Sequence, residues 1–150
     1  MKHNSILISL YTDAISSLHC QICRGRTNTA KPLMILAMIN LIDKGDITDG
    51  LFDIESMKNE YVKLQSHYSA TTPYQYPLYF LENESFYHLK WNENRVITHT
   101  PSAKLIRENV KYAYLDNALW DLLQEQEMRD YFRKIIIEHY LKEETKVNNK

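Results

Sequence analysis

Residues 31–47 read KPLMILAMINLIDKGDI, and this stretch decides the fold. From Leu33 to Lys44 it is apolar almost all round, which predicts a helix buried on every side rather than an amphipathic surface helix. Lys31-Pro32 should open the helix, because proline is tolerated in the first turn, where it lacks only an N–H that has no partner there. Gly45 should end it. The basic residues before Lys31 would then be anchored on the core.

The segments on either side predict further helices. Ser5–Cys20 has apolar residues at near-helical spacing. Downstream, Asp53 or Asp49 can cap a helix that runs to about Tyr68. A helix should begin after Ser102, which is a good N-cap. Two closing helices should cover Asn117–Leu123 and Glu127–Leu141. Residues 142–150 form a charged tail that we expect to fray.

Loops and strands fill the remaining stretches. Arg24–Ala30 is polar and contains a glycine, which predicts a loop, and the two prolines of Ser69–Pro77 predict another. A hairpin is predicted from Leu78–Leu81 and Phe86–Lys90, with Val96–Thr98 as a further edge strand and Val110–Leu115 ambiguous between strand and loop. We therefore expect one α+β domain over residues 1–150, mostly helical, with a small antiparallel sheet.

Composition and charge limit the function. The 150 residues carry a net charge of −1, with 44% hydrophobic residues and 11 tyrosines. No acid falls between Asp13 and Asp43, and residues 94–111 hold four cations against the single acid Glu108. Charge segregated in this way suits a nucleic-acid binder even when the total is near zero. The longest apolar run, Leu33–Ile42, is half of the ~20 residues that span a bilayer, so we expect a soluble cytoplasmic protein.

The sequence offers no specific catalytic or metal motif. Cys20 and Cys23 form a lone CxxC, and one pair cannot close a tetrahedral zinc site. His88, Asn92 and His99 are spaced too tightly for a ββα nuclease motif. There is no phosphate-binding loop and no nucleophile elbow. We expect no enzyme, no metal and no cofactor.

Three clusters remain as candidate binding elements. The first contains Arg24, Arg26, Thr29 and Lys31, the second Tyr74 and Tyr76-Pro77, and the third Ser102, Lys104 and Arg107. Cations beside a helix N-terminus suit phosphate oxygens. Tyrosine and proline form a rigid apolar surface, although on the residues alone a turn that merely enters a strand is the favoured interpretation of Tyr76-Pro77.

Three ordered segments resemble a known family. They are KPLMILAMINLIDKGDI (31–47), YQYPLYFLENESFYHL (74–89) and LIRENVKYAYLDNALWDLLQ (105–124). Together they resemble the sulfur-binding domain of bacterial HNH-type, modification-dependent restriction endonucleases, over roughly Arg24–Leu141. The resemblance implies binding to double-stranded DNA with a phosphorothioate link, in which sulfur replaces a non-bridging phosphate oxygen.

The resemblance also implies site residues. Tyr76-Pro77 and Phe80 would form the apolar cavity for sulfur. Thr29, Ala30 and Lys31 would touch the DNA, with Ser102 and Lys104 as a further contact. Family members often carry a basic residue or histidine at the position of Thr29 or Ala30, and this chain does not. Arg24 or Arg26 could compensate.

Other functions stay open on the sequence alone. The same scaffold could read unmodified or otherwise modified DNA, or the tyrosine-rich face could serve a protein–protein adaptor. A small hydrolase is a distant alternative. The HNH nuclease domain of the family is absent from these 150 residues, so a cutting activity would reside in another domain or in a partner.

Overall fold

The computed structural model describes residues 4–20, 22–23 and 26–141, with side chains over 4–20 and 28–141. The first half of the chain contains α1 (Ser5–Ser16), β1 (Ile22–Cys23), β2 (Arg26–Thr27), α2 (Ala30–Asp43), β3 (Phe52–Asp53) and α3 (Ile54–Tyr68). The second half contains α4 (Gln75–Phe80), a 3-10 turn (Leu81–Asn83), β4 (Tyr87–Trp91), α5 (Ala103–Asn109), β5 (Val110–Leu115), α6 (Asn117–Leu122), α7 (Gln126–Ile136) and a π-helical turn (Ile137–Leu141). This α+β architecture, mostly helical, confirms the predicted fold class.

The helix α2 is the centre of the core, as its sequence predicts. Eleven of its 14 residues are buried. It packs against α3, α4 and α7, so apolar side chains are needed on every side of it. Its first turn begins one residue before Lys31-Pro32, and Gly45 follows it with a positive φ of 78°. That left-handed conformation is the one glycine adopts without strain.

The sheet has three antiparallel strands in the order β3-β5-β4. Phe52 lies opposite Ala113, and Tyr87 lies opposite Leu115. All four of these residues are buried, so one face of the sheet lies on the core. The ambiguity over Val110–Leu115 is thereby resolved in favour of a strand, which forms the middle of the sheet.

The predicted hairpin is wrong in its first strand. Leu78–Leu81 forms the end of α4 and the start of the 3-10 turn, whereas β4 matches the second predicted strand and pairs with β5. The helical turn closes through Leu78 N–H, which donates to Tyr74 O at 3.1 Å. A four-residue apolar run has too little periodicity to separate a buried strand from a buried helix.

The predicted edge strand Val96–Thr98 is also absent from the described residues. The Val96 carbonyl and the Thr98 N–H bond to the hydroxyl of Tyr79 instead of to a neighbouring strand. A side chain thus satisfies backbone groups that a strand would have satisfied.

Two boundaries near the amino terminus differ from prediction. The first helix stops at Ser16 rather than Cys20, and Leu18 N–H donates to the hydroxyl of Tyr140 at 3.1 Å. Tyr140 is 122 residues further along the chain, and its hydroxyl binds the Leu18 N–H that a continued helix would have used. The predicted loop Arg24–Ala30 contains β2, which pairs with β1, and its last residue opens α2.

The other helix boundaries agree with the sequence more closely. The Asp53 carboxylate accepts from Ser56 N–H at 2.9 Å, which identifies Asp53 rather than Asp49 as the cap of α3. The predicted helix Glu127–Leu141 is α7 followed by the π-helical turn. The tail 142–150 lies outside the described residues.

Candidate nucleic-acid interface

The beginning of α2 is tied to the loop that precedes α4. The Asn28 carboxamide accepts from Ala30 N–H at 2.8 Å and donates to Thr72 Oγ at 3.1 Å. Thr29 occupies the N-cap position, but its hydroxyl makes no capping bond. Thr29 is half-buried and Ala30 is 6% exposed, so the hydroxyl of Thr29 is the group that this turn can offer to a phosphate.

Lys31 follows in the first turn of α2, and its ammonium points to an internal acid. The Nζ atom lies 2.7 Å from Glu84 Oε2, and the two side chains are 11% and 5% exposed. The same oxygen accepts from His19 N–H at 3.0 Å. Burial by itself would raise the pKa of Glu84, but the Lys31 ammonium and the His19 N–H outweigh burial and lower that pKa. A contact between Lys31 and DNA would therefore require the ammonium to leave or share Glu84.

Tyr76-Pro77 lies inside α4, not in a loop before a strand as predicted. Pro77 is the third helical residue, where the missing N–H costs the helix nothing. Tyr76 and Phe80 are four residues apart and share one helix face, with ring centroids 6.3 Å apart. Both are half-buried, and Pro77 is buried. The three residues predicted for the sulfur cavity are thus neighbours on one short helix.

Two cations lie near the start of α4. Lys58 Nζ is 5.6 Å from the centroid of the Tyr74 ring, within range of a cation–π contact. Burial raises the pKa of Tyr74, while Arg107 nearby opposes the rise and Glu55 adds to it. The sequence gives no signal for Lys58, because nothing local links this residue of α3 to a tyrosine 16 positions later.

The third predicted cluster lies at the start of α5. The Ser102 hydroxyl accepts from Leu105 N–H at 3.0 Å, so it caps the helix as predicted. Ser102, Lys104 and Arg107 are all exposed. Within the described part of the chain, neither Lys104 nor Arg107 takes part in an ion pair. Both cations are available to an external anion.

The fold brings the described residues of the three clusters onto neighbouring elements. The helix α4 packs against both α2 and α5. Asn28 links the start of α2 to the loop before α4, and the Tyr79 hydroxyl links α4 to the segment before α5. The apolar face formed by Tyr76 and Phe80 therefore belongs to a helix that packs against α5, which carries the unpaired cations Lys104 and Arg107. Arg24 and the side chain of Arg26 lie outside the described residues, so their predicted DNA contacts stay predictions.

Among the described residues, no group of three His, Cys, Asp or Glu side chains could hold a metal ion. His88 Nε2 lies 2.7 Å from Asp116 Oδ1. The other carboxylate oxygen of Asp116 accepts from the Tyr11 hydroxyl at 2.9 Å. Asn92 instead donates its amide to Glu108 O, so the string His88, Asn92 and His99 does not converge on one site. Within the same residues, no helix is long and apolar enough to cross a membrane.

Comparison with known proteins gives a clear relationship in structure and none in sequence. The chain matches no protein-family model and no curated protein. In structure it is similar to the "Sulfur binding domain of SprMcrA complexed with phosphorothioated DNA", with a TM-score of 0.71 and 16% identity over 89% of this chain and 85% of that one.

Two larger solved chains contain the same fold. One is the "Sulfur binding domain and SRA domain of ScoMcrA complexed with phosphorothioated DNA", with a TM-score of 0.70 and 14% identity over 85% of this chain. The other is the "Type IV phosphorothioation-dependent restriction endonuclease ScoMcrA", with a TM-score of 0.69 and 14% identity over 87% of this chain. The chain covers 41% and 29% of their respective lengths. The architecture is therefore the fold of the sulfur-binding domains of these proteins.

Proposed function

We propose that the chain is a recognition module that binds double-stranded DNA carrying a phosphorothioate link and has no catalytic site of its own. The observation that carries the proposal is the structural match to sulfur-binding domains solved with phosphorothioated DNA. The arrangement around α4 supports it, because an apolar face lies beside unpaired cations.

The chemistry of sulfur explains why such a surface can discriminate. Sulfur is larger and softer than oxygen and is a poorer hydrogen-bond acceptor. A phosphate oxygen pressed against Tyr76, Pro77 and Phe80 would lose its water without gaining a donor. Sulfur loses less in the same place, and a contact between sulfur and an aromatic ring is worth ~0.3–1.5 kcal/mol. Pro77 suits this role because it has no N–H to offer an oxygen.

A separate set of groups supplies affinity. The thioate keeps the negative charge of the phosphate, so nearby cations attract both kinds of DNA. Lys104 and Arg107 serve this purpose in the described part of the chain, with Arg24 and Arg26 as further members. Thr29 and Ser102 add polar contacts to the backbone, and Ala30 lets the duplex approach α2. We assign Lys31 to the support of this surface, because its ammonium is bound to Glu84.

Cutting would then belong to another part of a restriction system. The two larger solved chains carry domains beyond the region that this chain matches. We propose that a nuclease domain or subunit acts with this module in the bacterial cytoplasm. The purified chain should cut no DNA with Mg²⁺ or Mn²⁺, and nicking that tracks with the protein through further purification would contradict this.

The decisive experiment compares two duplexes that differ in one atom. Binding is measured by gel shift and by fluorescence anisotropy on duplexes identical except for one Rp thioate. The proposal expects tighter binding to the thioate at every salt concentration, with a similar fall in both affinities as salt rises. Equal affinity for the two duplexes would make the module a reader of ordinary DNA. If the protein binds neither duplex, the alternative function as a protein–protein adaptor would be favoured.

A further inference from the structure

Ile97 has the highest exposure, 85%, of the large hydrophobic side chains in the part of the chain that the structure describes. Exposure alone means little, because single apolar side chains are common on protein surfaces. Two further features bear on Ile97: the support of its backbone and the charge of its surroundings.

One hydroxyl group holds the backbone on both sides of Ile97. Tyr79 Oη donates to Val96 O at 2.6 Å and accepts from Thr98 N–H at 3.0 Å. Tyr79 is itself 4% exposed and sits in α4. The buried ring therefore fixes the peptide groups that flank Ile97, and the isoleucine side chain is the part left pointing to solvent.

The rest of the loop is anchored as well. Thr100 N–H donates to Thr98 Oγ at 3.1 Å, just after Ile97. At the start of the loop, Asn92 N–H donates to Asn109 O at 2.8 Å, and the Asn92 amide donates to Glu108 O at the same distance. A side chain presented from such a support loses little conformational freedom when it binds a partner.

The surroundings of Ile97 favour a polyanion over an apolar partner. Ile97 lies in the window 94–111, where Arg95 pairs with Glu82, while Lys104, Arg107 and Lys111 take part in no ion pair among the described residues. Phe80, which follows the clamping tyrosine, belongs to the proposed sulfur-binding face. Among the described residues, no second exposed large hydrophobic residue occurs in sequence between Val62 and Tyr114.

We propose that Ile97 enters the major groove of the bound duplex and contacts the 5-methyl group of a thymine near the modified phosphate. Apolar side chains read this methyl group in DNA grooves. Ile97 would thereby add a preference for particular base pairs to the preference for the thioate. The proposal rests on the proposed function, because it needs the duplex to lie on α4 and the start of α5.

The test selects bound sequences from a pool of duplexes with one thioate and randomised flanking bases. We expect the wild-type protein to enrich thymine at one or two positions and Ile97→Ala to lose this enrichment. Replacing the selected thymine by uracil should weaken wild-type binding about threefold to tenfold and leave Ile97→Ala unaffected. Ile6→Ala is the matched control, since Ile6 on α1 is 76% exposed and should keep the wild-type preference.

A second variant tests the clamp. Tyr79→Phe removes the hydroxyl and keeps the ring and Ile97, so thymine enrichment should weaken while the thioate-to-phosphate affinity ratio stays near the wild-type value. If Ile97→Ala selects the same bases as the wild-type protein, Ile97 does not read the groove. That result leaves the proposed function intact as long as the thioate is still preferred. A wild-type protein with no thioate preference would instead overturn the proposed function itself.

Discussion

Lys31 and Glu84 form an internal ion pair, with Nζ 2.7 Å from Oε2 and both side chains largely out of solvent. Removing one member of a buried pair leaves the other charge uncompensated, which typically costs ~3–5 kcal/mol. We expect Lys31→Met to lower the free energy of unfolding by about that amount, measured by urea denaturation. The double variant Lys31→Met, Glu84→Gln should recover part of the loss. A stable single variant that binds DNA poorly would instead place Lys31 at the DNA.

The same pair should make stability depend on pH. Because the folded pKa of Glu84 lies below its usual value, its contribution is complete above the unfolded pKa and is lost as the pH falls through the folded pKa. Urea midpoints recorded from pH 7 down to pH 3 should therefore fall less steeply for Glu84→Gln than for the wild-type protein. Asp43→Asn is the comparison, since Arg129 and Arg133 also lower the pKa of Asp43 against the opposing effect of burial. If the urea midpoint of Glu84→Gln falls with pH as steeply as that of the wild-type protein, the ion pair does not contribute as proposed.

Tyr76 should matter for selectivity more than for stability. Tyr76→Ala removes half of the aromatic face that it forms with Phe80, and we expect the thioate-to-phosphate affinity ratio to fall roughly tenfold, or ~1.4 kcal/mol. Binding to ordinary DNA through the cations should persist. Tyr131→Ala is the control, because Tyr131 is also partly exposed but lies on α7. Melting curves must accompany the affinities, and a folded Tyr76→Ala protein with full thioate preference would remove the cavity from this position.

The cations should act on both kinds of DNA equally. Lys104→Ala and Arg107→Ala, like Arg24→Ala and Arg26→Ala, should weaken binding to the thioate and the plain duplex by the same factor. Each lost phosphate contact should flatten the slope of log affinity against log salt by about one. Lys134→Ala is the control, since Lys134 is exposed on α7 and belongs to none of the three clusters. If the slope is unchanged in all four variants, the duplex lies elsewhere.

The sequence predicts the parts of the fold that are determined by local chemistry. The run Leu33–Ile42 is long for a strand and forms the buried helix that was predicted, and the caps at Asp53 and Ser102 are used as their side chains suggest. The failure at Leu78–Leu81 is of another kind. A short apolar run satisfies a strand or a helix equally well, and the outcome depends on packing against α2, which is more than 30 residues away in sequence.

The DNA-binding and sulfur-cavity roles of the candidate residues stay predictions, and their internal contacts could not be predicted from the sequence. The described residues of the three clusters named from the sequence lie on neighbouring elements. Lys31 pairs with Glu84, 53 residues later, and Lys58 approaches Tyr74. Both contacts form only because the fold brings distant segments of the chain together. Composition gives the number of cations in a window, but only the fold decides which of them are neutralised internally.

The bridge made by Asn28 determines how this surface meets a ligand. Its carboxamide accepts from Ala30 N–H in the first turn of α2 and donates to the Thr72 hydroxyl. Two segments 44 residues apart therefore keep a fixed spacing before any duplex binds. A surface assembled in advance gives up little entropy on association. Variants in its uncharged residues should consequently alter the lifetime of the complex far more than the rate at which the complex forms.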